Sequence, residues 1–386
     1  MKYWKLALAG MLAVLLPCPA LPCSLCAGNP QTSQTLRHEA DQVRLIVYGT
    51  LTNPRLNPDP LVGGGWTDLQ IEQVLKNDPI LAGRKTITIP KYLPVEPGKP
   101  VHFLLFCDVA NDKLDILTGR PVSGAKMFEY VKAVLGLETK NRTKALQFYF
   151  QHLDSGVPEI AADAYLELAK ANDQEIGQLA PTLEPSRLRK LLQDPNTPAE
   201  RLGLFAYLLG GCGGKSDADL LLSLLKKDTD QTRSAYGGLL AGYIVLQPEA
   251  GWKLAAKALA DPQRSFPERF AVLGTLRFFH GWKPRENHDP ILAALKAAIN
   301  ESSLADMAIE DLRRWEWWDL TATILPNYGT KNYAAPLTRR AIVRYALSCP
   351  QPAAASFVAE RKKAEPDFVA DVAESLEIDK PATPRK

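Results

Sequence analysis

From residue 158 onward one short pattern returns six times. Pro158-Glu159-Ile160-Ala161, Pro198-Ala199-Glu200-Arg201, Gln231-Thr232-Arg233-Ser234, Pro267-Glu268-Arg269-Phe270, Leu304-Ala305-Asp306-Met307 and Pro336-Leu337-Thr338-Arg339 each open a run of helical apolar spacing that is followed by a second run. The starts at 158, 198, 232, 267, 304 and 336 are separated by 40, 34, 35, 37 and 32 residues, the band in which paired-helix repeats fall. Proline suits a helix start because its missing N–H would find no partner there anyway. Second helices are expected over 217–227, 250–260, 289–299, 318–328 and 352–363, with turns at Asp194-Pro195, Asp261-Pro262 and Pro326-Asn327-Tyr328-Gly329. One such pair cannot bury its apolar stripe alone, so neighbours must stack, and a stack of pairs leaves an extended groove.

The recurrence resembles HEAT or armadillo-type repeats. That resemblance implies an all-α solenoid over residues 126–378, a tail at 379–386, and a groove for protein or peptide partners, the last by fold-level analogy.

Ahead of the repeats the chain carries two other signals. Met1-Lys2-Tyr3-Trp4-Lys5, an apolar run from Leu6 to Leu16 and Pro17-Cys18-Pro19-Ala20 have the order of a secretory signal peptide over 1–20. The run is too short to span a bilayer, and no later segment is long and apolar enough to do so. The expectation is an exported protein of the periplasm, cell envelope or extracellular space. Ala20-Leu21-Pro22-Cys23 resembles a bacterial lipobox in part, with Pro22 departing from it, so the alternative is a lipid anchor at Cys23. The formal net charge of +3 falls to +1 once Lys2 and Lys5 are removed. Such a charge is a poor basis for nucleic-acid binding, which draws on lysine and arginine against phosphates.

Residues 21–125 read as β-rich. Strands are expected over 43–51, 66–75, 86–89, 101–107 and 114–117, with a short helical pattern over 34–42 and a loop forced by Asn53-Pro54, Asn57-Pro58-Asp59-Pro60 and Gly63-Gly64-Gly65. Val74 is out of phase with Leu69 and Ile71, which predicts a bulge. Phe103 to Cys107 is apolar on both faces, as a central strand should be. Five strands with a long early loop suit a small closed barrel, so the expected fold class is α+β and multidomain: a five-stranded OB-like β-barrel followed by an all-α solenoid.

Cys23-Ser24-Leu25-Cys26, Ile46-Val47-Tyr48-Gly49-Thr50, Leu69 to Lys76 and Phe103-Leu104-Leu105-Phe106-Cys107 together resemble the netrin-like OB-fold of tissue metalloproteinase inhibitors. The resemblance implies a disulfide from Cys23 or Cys26 to Cys107 and, as an alternative function, protease inhibition through the N-terminus. The inhibitors chelate zinc through a terminal cysteine in a Cys-x-Cys start. Here the spacing is Cys-x-x-Cys and cleavage after Ala20 puts Leu21 first. The joining of such a domain to the repeats resembles secreted bacterial HEAT-repeat proteins.

Candidate chemistry is sparse. Cys23-x-x-Cys26 lacks the histidine of a haem site, the βαβ context of a redox pair and a matching cluster of zinc ligands; a structural disulfide is the plain reading. Gly210-Gly211-Cys212-Gly213-Gly214-Lys215-Ser216 has leucine where a phosphate-binding loop needs its first glycine, and reads as a helix end and turn. Glu310-Asp311 are adjacent and do not face each other on a helix. No His-Glu-x-x-His, Gly-x-Ser-x-Gly or dinucleotide pattern occurs, so no catalytic residue, metal or cofactor is assigned. What stands out is an aromatic and cationic stretch: Phe279, His280, Trp282, Arg313, Arg314, Trp315 and Trp318. Tryptophan and arginine dominate interface hot spots, so these seven are the expected partner surface, with aromatic packing between repeats as the competing reading. An enzyme site near the aromatic and histidine cluster at 278–318 is the remaining functional alternative.

Overall fold

The computed structural model describes residue 25 and residues 34–59, 63–122, 124–138, 141–301 and 303–379. The signal peptide, Cys23, Cys26 and the tail beyond 379 lie outside the described residues. A short helix α1 (Leu36–Asp41) leads into five strands, β1 (Leu45–Leu56), β2 (Gly65–Lys76), β3 (Thr86–Ile89), β4 (His102–Ala110) and β5 (Lys113–Pro121). Among the described residues helices follow without any further strand: α2 (Gly124–Gly136), α3 (Arg142–Phe150), α4 (Pro158–Ala169), α5 (Asp173–Leu179), α6 (Pro185–Gln193), α7 (Ala199–Cys212), α8 (Lys215–Leu225), α9 (Asp230–Ser234) and α10 (Tyr236–Leu246). The series ends with α11 (Pro248–Ala260), α12 (Phe266–Trp282), α13 (His288–Asn300), α14 (Ala305–Arg314), α15 (Thr321–Ile324), α16 (Pro336–Ser348), α17 (Pro352–Ala364) and α18 (Pro366–Ile378). No described helix is long and apolar enough to cross a membrane.

The strands form one antiparallel sheet in the order β3-β2-β1-β4-β5. This corrects the barrel expectation, because β3 and β5 are open edges rather than a closing pair. β3 has only four residues, too few to supply the staggered ladder that closure demands. Beyond it the chain bonds sideways instead: the Leu93 amide donates to Thr67 Oγ1 at 2.8 Å. Leu93, Val95 and Val101 from that segment, with Leu81, cover a small core of Leu45, Val47, Leu69, Ile87, Phe103, Leu105 and Cys107. Loop side chains thus do what barrel closure would have done.

Two local readings resolve differently. The phase break at Val74 is a bulge region: Val47 pairs with Val74 while Ile46 pairs with Lys76, so Leu75 is the extra residue. Asn53-Pro54 does not end β1. Asn53 takes a left-handed conformation (φ 51°), the register shifts between Thr52 and Arg55, and the strand resumes. Asp68 fixes this bulge by accepting from both Arg55 Nη atoms (2.8 and 2.9 Å) and from Asn53 (2.8 Å), and these donors hold its carboxyl well below the usual range.

The other face of the sheet joins the helices. Ile46, Leu104 and Phe106 belong to the same core as the helical residues from Met127 to Ala354, and Tyr48 packs on Phe128 at 4.3 Å. A buried carboxylate ties the junction. Asp163 of α4 accepts from the Leu36 amide of α1 at 2.8 Å and from the Tyr130 hydroxyl of α2 at 2.7 Å. Burial raises its pKa, against those two hydrogen bonds.

Among the helices, α7 lies against α10, α10 against α12, α14 against α16 and α16 against α18; α11 likewise lies against α13. α7 and α10 meet backbone to backbone. A Cβ at Gly238 would stand 2.0 Å from the Gly203 carbonyl oxygen, one at Gly242 2.2 Å from that of Ala206, and one at Gly210 2.5 Å from the Gly242 Cα. α12 then closes on α10 through Thr275 Oγ1, which donates to the Gly237 carbonyl at 2.8 Å. Several side-chain hydrogen bonds across the helical part fall at a narrow sequence separation: Gln147 to Thr182 and Tyr165 to Glu200 (35), Arg269 to Ser303, Arg277 to Asp311 and Arg344 to Glu310 (34), and Gln351 to Trp318 (33). One expected helix fails. In place of a helix over 318–328 the chain makes four-residue α15 and a 3-10 turn, Leu325–Asn327, because Pro326 cannot donate and clashes with the preceding turn.

Two outcomes test this packing. Gly238→Ala must force α7 and α10 apart and lowers unfolding free energy by at least ~2 kcal/mol in urea titration. Gly136→Ala, where a Cβ meets nothing within 4 Å, costs nothing measurable. For Asp163 the folded pKa lies above the unfolded one, so the native state holds the extra proton and stability falls as pH rises from about 4 through the folded pKa. Asp163→Asn removes that part of the slope in pH-dependent denaturation while keeping an oxygen for Leu36.

Candidate functional site

The C-terminus of α14 sets the direction of the aromatic stretch. Its last turn closes with Trp317 N–H donating to the Leu312 carbonyl (2.9 Å) and Glu316 N–H to that of Arg313 (3.1 Å), the two bonds of a Schellman ending. The residue such an ending wants left-handed is usually glycine; here it is Glu316, at φ 58°. That turn swings Trp317 back over the helix. Four rings then stand in a row: His280 flat on Trp315 (4.1 Å, 9°), Trp315 edge-on to Trp317 (5.3 Å), and Trp317 against His288 (4.5 Å). Burial holds the His280 imidazole down to about 4, so it is a neutral stacking partner. His288 is bonded to Asp289 at 2.9 Å and lies 3.5 Å from Asp319 through its other nitrogen. The row ends at an open cleft of ≈ 400 Å³ lined by Pro284, Arg285, Glu286, His288, Asp289, Pro290 and Trp317. The two histidines therefore meet through Trp317, which their sequence spacing did not indicate.

The seven residues expected to form a partner surface are dispersed. His280 and Trp315 join the ring row. Phe279 is buried against Trp252 (5.1 Å). Trp282 lies where a Cβ on Gly177 would fall, 2.2 Å from its ring, and so seals α12 onto α5. Trp318 packs edge-on to Tyr345 (5.0 Å). Arg313 binds Glu310 at 2.8 Å and Asp379 at 2.9 Å, and Arg344 reaches the same Glu310 and Asp379. Arg314 alone of the seven is exposed, and it faces another surface. Glu310 and Asp311 are both held by arginines, Asp311 by Arg277 at 2.9 Å. The glycine-rich stretch at 210–216 is the end of α7, a two-residue link of Gly213 and Gly214, and the start of α8, where Asp217 accepts from the Gly214 amide (2.8 Å) and from Arg189.

Arg314 leads to a surface that sequence reasoning missed. It lines a cavity of ≈ 370 Å³ formed by α12, α14 and α16, together with Arg277, Met307, Leu337, Arg340 and Arg344 among others. Leu337 is 70 % exposed, Phe270 42 % and Phe266 47 %. Phe266 stacks with Phe270, and the Arg277 guanidinium sits over the Phe270 ring at 5.5 Å, so these residues form one continuous strip. Phe266 and Phe270 are spaced i, i+4 and count as core by periodicity. They stay exposed all the same, in the first turns of the 17-residue α12. No carboxylate among the described residues lies within salt-bridge distance of Arg314, although its charge acts on Asp311, which with Asp306 and Glu310 lines the same cavity. Among the described residues no three of histidine, cysteine, aspartate and glutamate come together as a metal could use them.

Cys107, Cys212 and Cys349 form no disulfide among the described residues, and the expected bond from Cys23 or Cys26 to Cys107 involves residues outside them. Burial pushes Cys107 up to about 12 and Cys212 to about 11, so neither is a ready nucleophile. Comparison with protein families, with curated proteins and with solved structures returns no match to this chain.

Replacing the strained residue tests the geometry of the ring row. Glu316→Gly relieves a left-handed side chain worth roughly 1 kcal/mol and raises Tm, with Trp fluorescence unchanged. A fall in Tm would mean that the carboxylate, not the turn, matters there.

Proposed function

We propose that this chain is an exported, non-catalytic binding protein whose helical part is a HEAT-like solenoid, and that it engages a protein or peptide partner along the α12–α14–α16 strip. The observation that carries the reading is the exposure of Phe266, Phe270 and Leu337 beside a cavity rimmed by Arg314 and Arg340. A surface of this kind favours a segment with apolar side chains for the strip and carboxylates for Arg314 and for Arg340, which among the described residues pairs with the exposed Asp371. The near-constant separation of hydrogen bonds between units supports the solenoid, since equivalent residues of consecutive helix pairs are the ones that bond. The order of neighbours α7, α10, α12 and α14, α16, α18 supports it as well. The N-terminal pattern of basic, apolar and small residues supports export.

The test is affinity capture from an envelope extract, comparing the native chain with Phe270→Ser/Leu337→Ser and with Arg314→Glu. A specific partner retained by the native chain is lost by the double variant and weakened at least about tenfold by the charge reversal, while Trp317→Ala keeps it. Equal capture by native chain and double variant, both with unchanged Tm, would remove the strip from the function.

A further inference from the structure

Trp317 is the ring of the row that lines the cleft beside the start of α13, and the α12–α14–α16 strip makes no use of it. Its neighbours hold it in one orientation. Trp315 and His280 both stand edge-on to it, at 5.3 and 5.2 Å, and His288 lies against it at 4.5 Å. A ring fixed in advance loses little freedom when a ligand arrives. Glu316 keeps a left-handed backbone (φ 58°) to set Trp317 there, and strain of that kind clusters where a protein holds ligands.

The rest of the lining is polar and balanced in charge. Arg285 is exposed and makes neither an ion pair nor a hydrogen bond among the described residues. Glu286 takes Lys283 on one oxygen at 2.7 Å, and Asp289 bonds His288 through one oxygen at 2.9 Å. The second oxygen of each carboxylate bonds no described residue. The same imidazole lies 3.5 Å from Asp319 on its other side, which fixes its plane. An anion in this cleft would meet Glu286 and Asp289, and a cation would meet Arg285. What suits an idle guanidinium and two half-used carboxylates beside an indole ring is an uncharged ligand that donates and accepts at its rim and is apolar on a face.

We propose that the cleft binds a pyranose ring of a neutral glycan. The C–H bonds on one face of the sugar, slightly positive, lie on the negative face of the Trp317 indole. The hydroxyls, each both donor and acceptor, receive from Arg285 and donate to Glu286 and Asp289. A volume of ≈ 400 Å³ lies within the range of small-ligand sites. The site shares no residue with the cavity of the α12–α14–α16 strip and does not depend on that strip's function.

Saturation-transfer NMR of the full chain with cellotetraose, maltotetraose and N-acetylchitotetraose tests the proposal. At least one of these sugars binds saturably, with the strongest transfer to its ring C–H protons. Trp317→Ala abolishes that binding and Trp317→Phe, which keeps a ring, retains part of it. Arg285→Ala and Asp289→Ala, both at exposed positions, weaken it at least about tenfold with Tm unchanged, so they report even where Trp317→Ala fails to fold. Phe270→Ser/Leu337→Ser leaves sugar binding intact, which separates this site from partner capture by the strip. The proposal is overturned if none of the sugars binds, or if the Arg285→Ala and Asp289→Ala variants bind as the native chain does. Transfer to tetramethylammonium with none to any sugar also overturns it and assigns the cleft to a cation.

Discussion

The backbone contact between α7 and α10 governs how everything after it is placed. Gly210 on one helix, and Gly238 and Gly242 on the other, let the two main chains touch where a Cβ would hold them apart. That distance is not adjustable by rotamer changes, because the atoms that would clash are carbonyl oxygens and Cα atoms. α10 is buried along most of its length, and α12 is latched onto it through Thr275 and Gly237. The positions of Phe270, Arg277 and the cavity beyond them follow from this spine.

Polar groups hold the sheet to the helices. Asp163 sits where three elements meet, and by accepting from the Leu36 amide it caps the start of α1 with a side chain from a helix far along the chain. The Glu39–Arg120 ion pair links α1 to β5. With one face of the sheet committed to the helical core and the other covered by the segment after β3, nothing drives β3 and β5 together, and the sheet stays open.

The tryptophans illustrate how packing claims residues that composition marks for recognition. Trp282 and Trp318 act as bulky wedges between helical elements, each against a specific neighbour, Gly177 and Tyr345. Aromatic side chains bury large area with little loss of rotamer freedom, so the same property suits both wedge and hot spot. Their position along the helix decides between the two roles. The exposed Phe266 and Phe270 lie in the first turns of a long helix beside a shorter one.

Much of the secondary structure was legible along the chain because it depends on neighbours in sequence. β3 falls on the four residues expected, the phase break at Val74 is a bulge, and the prolines at 158, 336 and 352 each open a helix. Asn53-Pro54 misled because a left-handed asparagine can absorb a bulge as readily as it ends a strand. The α+β class and the switch from strand to helix near residue 124 were therefore determined by the sequence alone. Whether the sheet closes, which aromatics face solvent and where His280 and His288 meet were decided only in three dimensions. Each depends on the length and position of an element distant in the chain, and periodicity carries no record of that.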